Sequence, residues 1–240
     1  MSDGTVAVRV TGRVAVLTLR REAKLNALST HLERALDDAL RTDDVRTAGA
    51  VVVTGGDGVF SAGADVNELR EMTPAAIAGY YRDSGAVYEH FAALPQPTVA
   101  AIAGYCLGGG FELALAADLR VADESAVFGL PEVGIGIVPS SGGLTRLVRV
   151  VGPARARDLI LRCRRMNPTE AHGWGLLTEV TPRGTHLARA LEIAEELAAQ
   201  PPLAVEIAKQ LIDTATDAPR EAALLLERLA YAALNRTEGQ

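Results

Sequence analysis

Aromatic residues and cysteine are both scarce: 4% of the 240 residues are Phe, Trp or Tyr, and only two are cysteine. So thin an aromatic inventory speaks against a surface that stacks nucleic-acid bases or cages a quaternary ammonium. Cys106 and Cys163 form neither a disulfide framework nor a zinc spacing. Unpaired thiols point to a reducing compartment, and a cytoplasmic location is the expectation. Excess positive charge is also lacking. The formal net charge is −6, which repels nucleic acid unless basic residues cluster. They cluster once, at Arg146, Arg149, Arg155, Arg157, Arg162, Arg164 and Arg165. Such a run reads first as a solvated face with subunit contacts and second as a phosphate site. The start of the chain, Met1 to Thr5, has neither the basic nor the apolar stretch of a secretory signal. The segment from Pro97 to Ala117 is apolar, but Gly104, Gly108 to Gly110 and Glu112 interrupt it. It therefore reads as soluble core rather than as a membrane span.

What is present is an α/β pattern. Thr5 to Val10 and Val14 to Leu19 alternate in polarity around Thr11-Gly12, which predicts a β-hairpin. Thr30 to Glu33 fits a capping box, followed by a helical stripe through Leu32, Leu36 and Leu40. Ala50 to Thr54 and Thr98 to Ala103 are predicted strands, and Leu119 to Ala122 is another. Gly63-Ala64-Asp65 opens a helix, a longer helix runs from Pro74 to Ala93, and Gly104 to Gly110 is a loop. From Leu144 onward the chain reads as mostly helical, punctuated by Gly175, Pro182, Pro201-Pro202 and Pro219.

Two carboxylates stand out. Glu112 follows Gly108-Gly109-Gly110 on the first turn of a predicted helix, and is the only acidic or basic residue between Glu89 and Asp118, taking His90 as neutral. Glycines admit a ligand close to the backbone, and the first N–H groups of a helix lack internal partners. Together they read either as an anion site or as a tight strand–helix turn packed against neighbouring backbone. The run carries neither a Gly-x-Gly-x-x-Gly fingerprint nor a phosphate-loop Lys-Ser/Thr. Glu112 reads either as an acid satisfied by the helix N-terminus or as a functional carboxylate beside that site. Glu132 is the only charge between Glu124 and Arg146, amid Val, Phe, Leu, Ile and Gly. Desolvation there raises a carboxyl pKa, which suits a general acid near neutral pH. The alternatives are a surface turn after Pro131 and a partner for a buried arginine. Gly63-Ala64-Asp65 supplies a second set of backbone N–H groups for a two-donor oxyanion hole. Two donors and two carboxyls suit proton transfer at carbon beside a carbonyl.

Four segments in order then carry a resemblance: Lys24 to Leu28, Phe60 to Asp65, Gly104 to Ala114 and Phe128 to Val133. The chain resembles the crotonase superfamily of enoyl-CoA hydratases and isomerases, over nearly its whole length. The resemblance implies a crotonase-like α/β spiral of ββα units over 1–185, carrying the site. A helical C-terminal region over 186–240 would follow, shortened by about one helix. It implies a coenzyme A thioester substrate, whose oxygen the N–H groups of Ala64 and Gly109 would hold. Lys24, Leu25, Ala62, Ala64, Asp65, Val66, Asn67 and Gly109 would bind the substrate, and Glu112 and Glu132 would be catalytic. Part of Met72 to Ala93 would line the acyl pocket. The resemblance further implies a homotrimer or a dimer of trimers, no metal or other cofactor, and no nucleic-acid or membrane partner. Having both glutamates favours hydration of the 2,3 double bond over isomerisation, and a non-catalytic acyl-CoA binder is the reading of a different class. Glu22 stands where the family usually has proline, and Asn67 where lysine is common.

Nucleophilic catalysis has little support. Ser140-Ser141-Gly142-Gly143 lacks the Gly-x-Ser-x-Gly pattern, and Cys106 reads as an inert buried thiol. His31, His90, His172 and His186 have no metal-ligand spacing and read as surface or satisfied residues.

Overall fold

A computed structural model of the chain describes residues 3–83 and 85–237. Met1 and Ser2 of the start, Ser84 within the long predicted helix and 238–240 of the C-terminal region lie outside the described residues. Strands β1 (Thr5–Thr11) and β2 (Val14–Arg20) form the expected antiparallel hairpin, with Thr11 opposite Val14. There follow β3 (Ala50–Thr54), β4 (Thr98–Ile102), β5 (Tyr105–Leu107), β6 (Leu119–Asp123), β7 (Val127–Gly129) and β8 (Glu179–Thr181). One sheet has the order β1-β2-β3-β4-β6-β8, and β5 pairs with β7 in a second, shorter one. Among the described residues, the strand pairings after the hairpin are parallel, with one isolated antiparallel bridge between Phe128 and Met166. Parallel neighbours need long crossovers, and helices supply them.

The helices are α1 (Thr30–Leu40), α2 (Asp43–Arg46), α3 (Val66–Glu71), α4 (Pro74–Asp83), α5 (Ala86–Ala92) and α6 (Gly109–Ala116). Then come α7 (Gly143–Leu161), α8 (Pro168–Gly173), α9 (His186–Ala198), α10 (Pro202–Ala215) and α11 (Arg220–Thr237).

The central strands are covered on both faces, which explains their unbroken apolar runs. Successive side chains of a strand point to opposite faces. Ala15, Leu17, Val51, Val53, Ala100 and Ile102 accordingly join the main core with α1, α5, α6 and α7. Val14, Val16, Ala50, Val52, Val99 and Ala101 meet Ala190, Ile193, Ala194 and Ala198 of α9.

Several local readings change. The cap of α1 is Ser29, whose Oγ accepts from Leu32 N at 3.2 Å, one residue earlier than the predicted box. Thr30 and Glu33 are free of that duty because their side chains bond Glu68 and two tyrosines. Ser29→Ala should therefore cost about 1 kcal/mol. Thermal melts should show this as a loss of roughly 2–4 °C; an unchanged melting temperature would contradict the assignment. The helix predicted over Pro74 to Ala93 is two helices, α4 and α5, with Gly85 capping the second. The predicted loop Gly104 to Gly110 contains β5, and β8 interrupts the mostly helical final third. Among the described residues, no helix is long and apolar enough to cross a membrane.

Candidate active site

Asn26 latches the loop that leaves β3. Its buried Nδ2 donates to the carbonyls of Gly55 and Val59 at 3.0 Å, and its Oδ1 accepts from Arg21 N at 2.8 Å. Beyond the latch, Leu28 N donates to Gly63 O at 2.8 Å and Asp65 N to Leu28 O at 2.9 Å. These bonds flank Ala64, so its own N–H faces away from Leu28, as in any parallel bridge.

Gly108 caps α6 at φ 51° and ψ −130°, a region that side chains avoid. Helix α6 starts at Gly109, whose N–H is one of those without an internal partner. A Cβ on Gly109 would stand 3.5 Å from Ala64 N and 3.0 Å from the Tyr88 hydroxyl. The backbone nitrogens of Ala64 and Gly109 thus lie beside one another at the start of α6.

Glu112, one turn into α6, is 3% exposed. Its Oε1 accepts from Ser141 N and from Gly143 N, each at 2.9 Å. Burial pushes its pKa up, and the N–H groups of Gly143 and Ser141, with the charge of Arg146, hold it back. Glu132 lies on a one-turn 3-10 helix, Glu132–Ile135, after Pro131. Burial raises its pKa to about 7, with the nearby Glu112 charge adding to the rise. Its Oε2 is buried without a hydrogen-bond partner. Glu112, Glu132, Ala64 and Gly109 line one cavity of about 230 Å³. Ile135, Ile137 and Val138 give it apolar walls.

Ala62 and Val66 line the same cavity. Lys24, Leu25 and Asn67 are exposed, and Leu25 O holds Ala62 N at 2.9 Å. Asp65 is occupied structurally: its carboxylate pairs with Arg21 at 2.8 Å and caps α3. Partial burial works against that charge, but Arg21 and the backbone of Glu68 and Asn67 keep its pKa below the usual value. Cys106 is fully buried and donates to Gly110 O, as its inert reading expects.

The arginine cluster does not converge on one site. Arg146 bonds Ser141 O and Glu89, bracing the loop that holds Glu112. Arg149 pairs with Asp217, and Arg162 and Arg164 with Asp158. Arg155 and Arg164 lie over Trp174, and Arg165 over Tyr105.

Sequence reasoning missed a third buried acid. Glu33 is 1% exposed, and its Oε1 accepts from the hydroxyls of Tyr80 at 2.8 Å and Tyr88 at 2.9 Å. Both tyrosines line the cavity. The available signal was position: Glu33 lies three residues before Leu36 and seven before Leu40, at the edge of the buried stripe of α1. Gly143 was also missed as a site residue. A Cβ there would fall 2.2 Å from Glu112 Cγ, so only glycine leaves room for the carboxylate.

A family model described as enoyl-CoA hydratase/isomerase matches residues 9–239. The chain belongs to the enoyl-CoA hydratase/isomerase family. A protein named probable enoyl-CoA hydratase from Rhizobium meliloti is 39% identical, over 100% of this chain and 93% of its own length. The crystal structure of an enoyl-CoA hydratase from Bacillus anthracis superposes with a TM-score of 0.90 at 36% identity, covering 97% of this chain and 91% of that one. A putative enoyl-CoA hydratase from Thermobifida fusca, solved in complex with CoA, superposes with a TM-score of 0.90 at 26% identity, over 97% and 93%. The fold is therefore the crotonase fold, with its C-terminal helical region present, and this member of the family is an enzyme.

Proposed function

We propose that this enzyme hydrates the 2,3 double bond of an enoyl-CoA thioester, or runs the reverse dehydration. The observation that carries the reading is the shared cavity: two buried carboxyls, Glu112 and Glu132, beside the backbone of Ala64 and Gly109. The thioester oxygen would sit between the N–H groups of those two residues, which stabilise the enolate charge as it develops. Ionised Glu112, fixed by Ser141 N and Gly143 N, would orient a water and take one of its protons as the oxygen bonds to C3. Glu132 would give its proton to C2, and solvent would return the proton from Glu112 to Glu132. Both glutamates would then be catalytic. The coenzyme A portion would run along Lys24, Leu25, Asp65, Val66 and Asn67, with Ala62, Ala64 and Gly109 at the thioester end. The chemistry needs no metal and no cofactor beyond coenzyme A in the substrate.

The test is loss of conjugated thioester absorbance with crotonyl-CoA, with the product identified by mass. Gain of one water supports hydratase. Migration of the double bond, with a 3-enoyl thioester as the active substrate, would favour isomerase. Binding without turnover would leave a binder.

The pH dependence follows from the same assignment. Glu132, raised to about 7, is protonated below that pH and ionised above it. Hydration draws on the protonated form, so its kcat/KM should fall about tenfold per pH unit above about 7. Dehydration draws on the tautomer with the proton on Glu112 and Glu132 ionised; because adding water takes up no net proton, its kcat/KM should fall over the same pH range as that of hydration. A hydration kcat/KM that stays level well above about 7 would count against Glu132 as the C2 acid.

A homotrimer, or a dimer of trimers, is part of the proposal. Leu203 and Ile212 of α10 and Leu225, Leu229 and Tyr231 of α11 are exposed, an apolar surface suited to contact between copies. The two free cysteines suit a cytoplasmic location.

A further inference from the structure

The third buried acid bears on which acyl groups the cavity accepts. Glu33 lies behind the cavity wall, with Tyr80 and Tyr88 between it and the space that Glu112 and Glu132 also line. Its Oε2 is buried without a hydrogen-bond partner. Burial raises its pKa to about 7, the tyrosine hydroxyls hold it down, and the negative charges of Glu68 and Glu112 add to the rise. Among the described residues, no lysine, arginine or histidine lines the cavity. A tail carboxylate entering this space would lose water, meet no lysine, arginine or histidine in the lining, and face the Glu112 and Glu132 carboxyls with Glu33 behind the tyrosines. Arg146, whose charge reaches Glu112, is engaged by Glu89 and Ser141 O. Each tyrosine hydroxyl donates its hydrogen to Glu33 Oε1.

We propose that Glu33 is a specificity-determining residue, which through Tyr80 and Tyr88 makes the acyl cavity select neutral acyl tails and reject tails ending in a carboxylate. This rests on the acyl-CoA reading above. The discrimination is a repulsive element against the wrong ligand rather than an added contact with the right one. Glu33 itself does not touch the reacting atoms; it sets the field and the hydroxyl orientation of the wall.

The experiment compares binding of hexanoyl-CoA and adipoyl-CoA, which differ only at the end of the chain, by calorimetry at pH 8. At that pH Glu33 and Glu132, both raised to about 7, are mostly ionised. The wild-type enzyme should bind hexanoyl-CoA at least about tenfold more tightly. An apolar pocket alone would also disfavour a carboxylate, so Glu33→Gln decides the cause. It keeps the shape and a carbonyl acceptor for the tyrosines, and should shrink the ratio at least about threefold while leaving hexanoyl-CoA affinity nearly unchanged. Equal binding of the two thioesters by wild type would overturn the proposal, as would a ratio that Glu33→Gln leaves where it was. The wild-type comparison needs no variant to fold. Hydration of crotonyl-CoA is scored separately. Turnover with no tail discrimination sinks only the selectivity, discrimination without turnover sinks only the hydratase reading, and failure of both thioesters to bind sinks both.

Discussion

Glu132→Gln should lower kcat for hydration by about 10²- to 10⁴-fold, the range for loss of a positioned acid or base, with KM within a fewfold of wild type. The amide has the shape of the carboxyl but cannot release a proton to C2. Neither the Ala64 and Gly109 donors nor the cavity walls depend on it, so binding of the thioester should persist. Glu112→Gln should fall by a comparable factor for a different reason. Its Oε1 can keep the bonds from Ser141 N and Gly143 N, but the side chain can no longer take a proton from water. A drop of this size at Glu132 with Glu112→Gln near wild type would mean one-carboxyl chemistry, which is the pattern of an isomerase.

Gly143→Ala should cost about 10²-fold or more in kcat although residue 143 touches no substrate, because about 1 Å of misplacement of a reacting group is enough for that loss. The new methyl carbon would stand 2.2 Å from Glu112 Cγ and 2.8 Å from its Oε1. Neither overlap can persist, and Glu112 sits at 3% exposure with little room to retreat. The carboxylate must swing away from the two N–H groups that fix it. A variant that melts near the wild-type temperature, binds hexanoyl-CoA and barely turns over crotonyl-CoA is the expected result. Wild-type kcat in Gly143→Ala would show that the position of Glu112 is not what sets the rate.

The parts of this molecule that announce themselves in sequence are those where one residue type has one physical reason to be there. β3 reads correctly end to end because a strand buried on both faces must be apolar throughout. Glu112 and Glu132 are visible because a lone charge in a long apolar stretch needs a compensating reason. The family motifs are legible for the same cause: side chains at Gly108, Gly109 and Gly110 would crowd Glu132, Tyr88 and Ser61.

What stays hidden depends on partners far along the chain. Glu33 looks like an ordinary first-turn helix acid until Tyr80 and Tyr88, 47 and 55 residues away, are brought to it. Gly143 looks like a helix-start glycine until Glu112, 31 residues earlier, fills the space where its side chain would be. β8 is three residues long, too short for periodicity to distinguish it from a loop, and its strand state comes from pairing with β6. The break between α4 and α5 falls near Gly85, a signal that a continuous helical pattern across Pro74 to Ala93 obscured.

The most direct test of the central claim is crotonyl-CoA turned over in ¹⁸O-labelled water, with the product analysed by mass spectrometry. The account predicts a 3-hydroxyacyl-CoA carrying one ¹⁸O on the acyl chain and an intact thioester. Label appearing in a released carboxylic acid, or unlabelled thioester recovered unchanged from an enzyme that binds it, would contradict it.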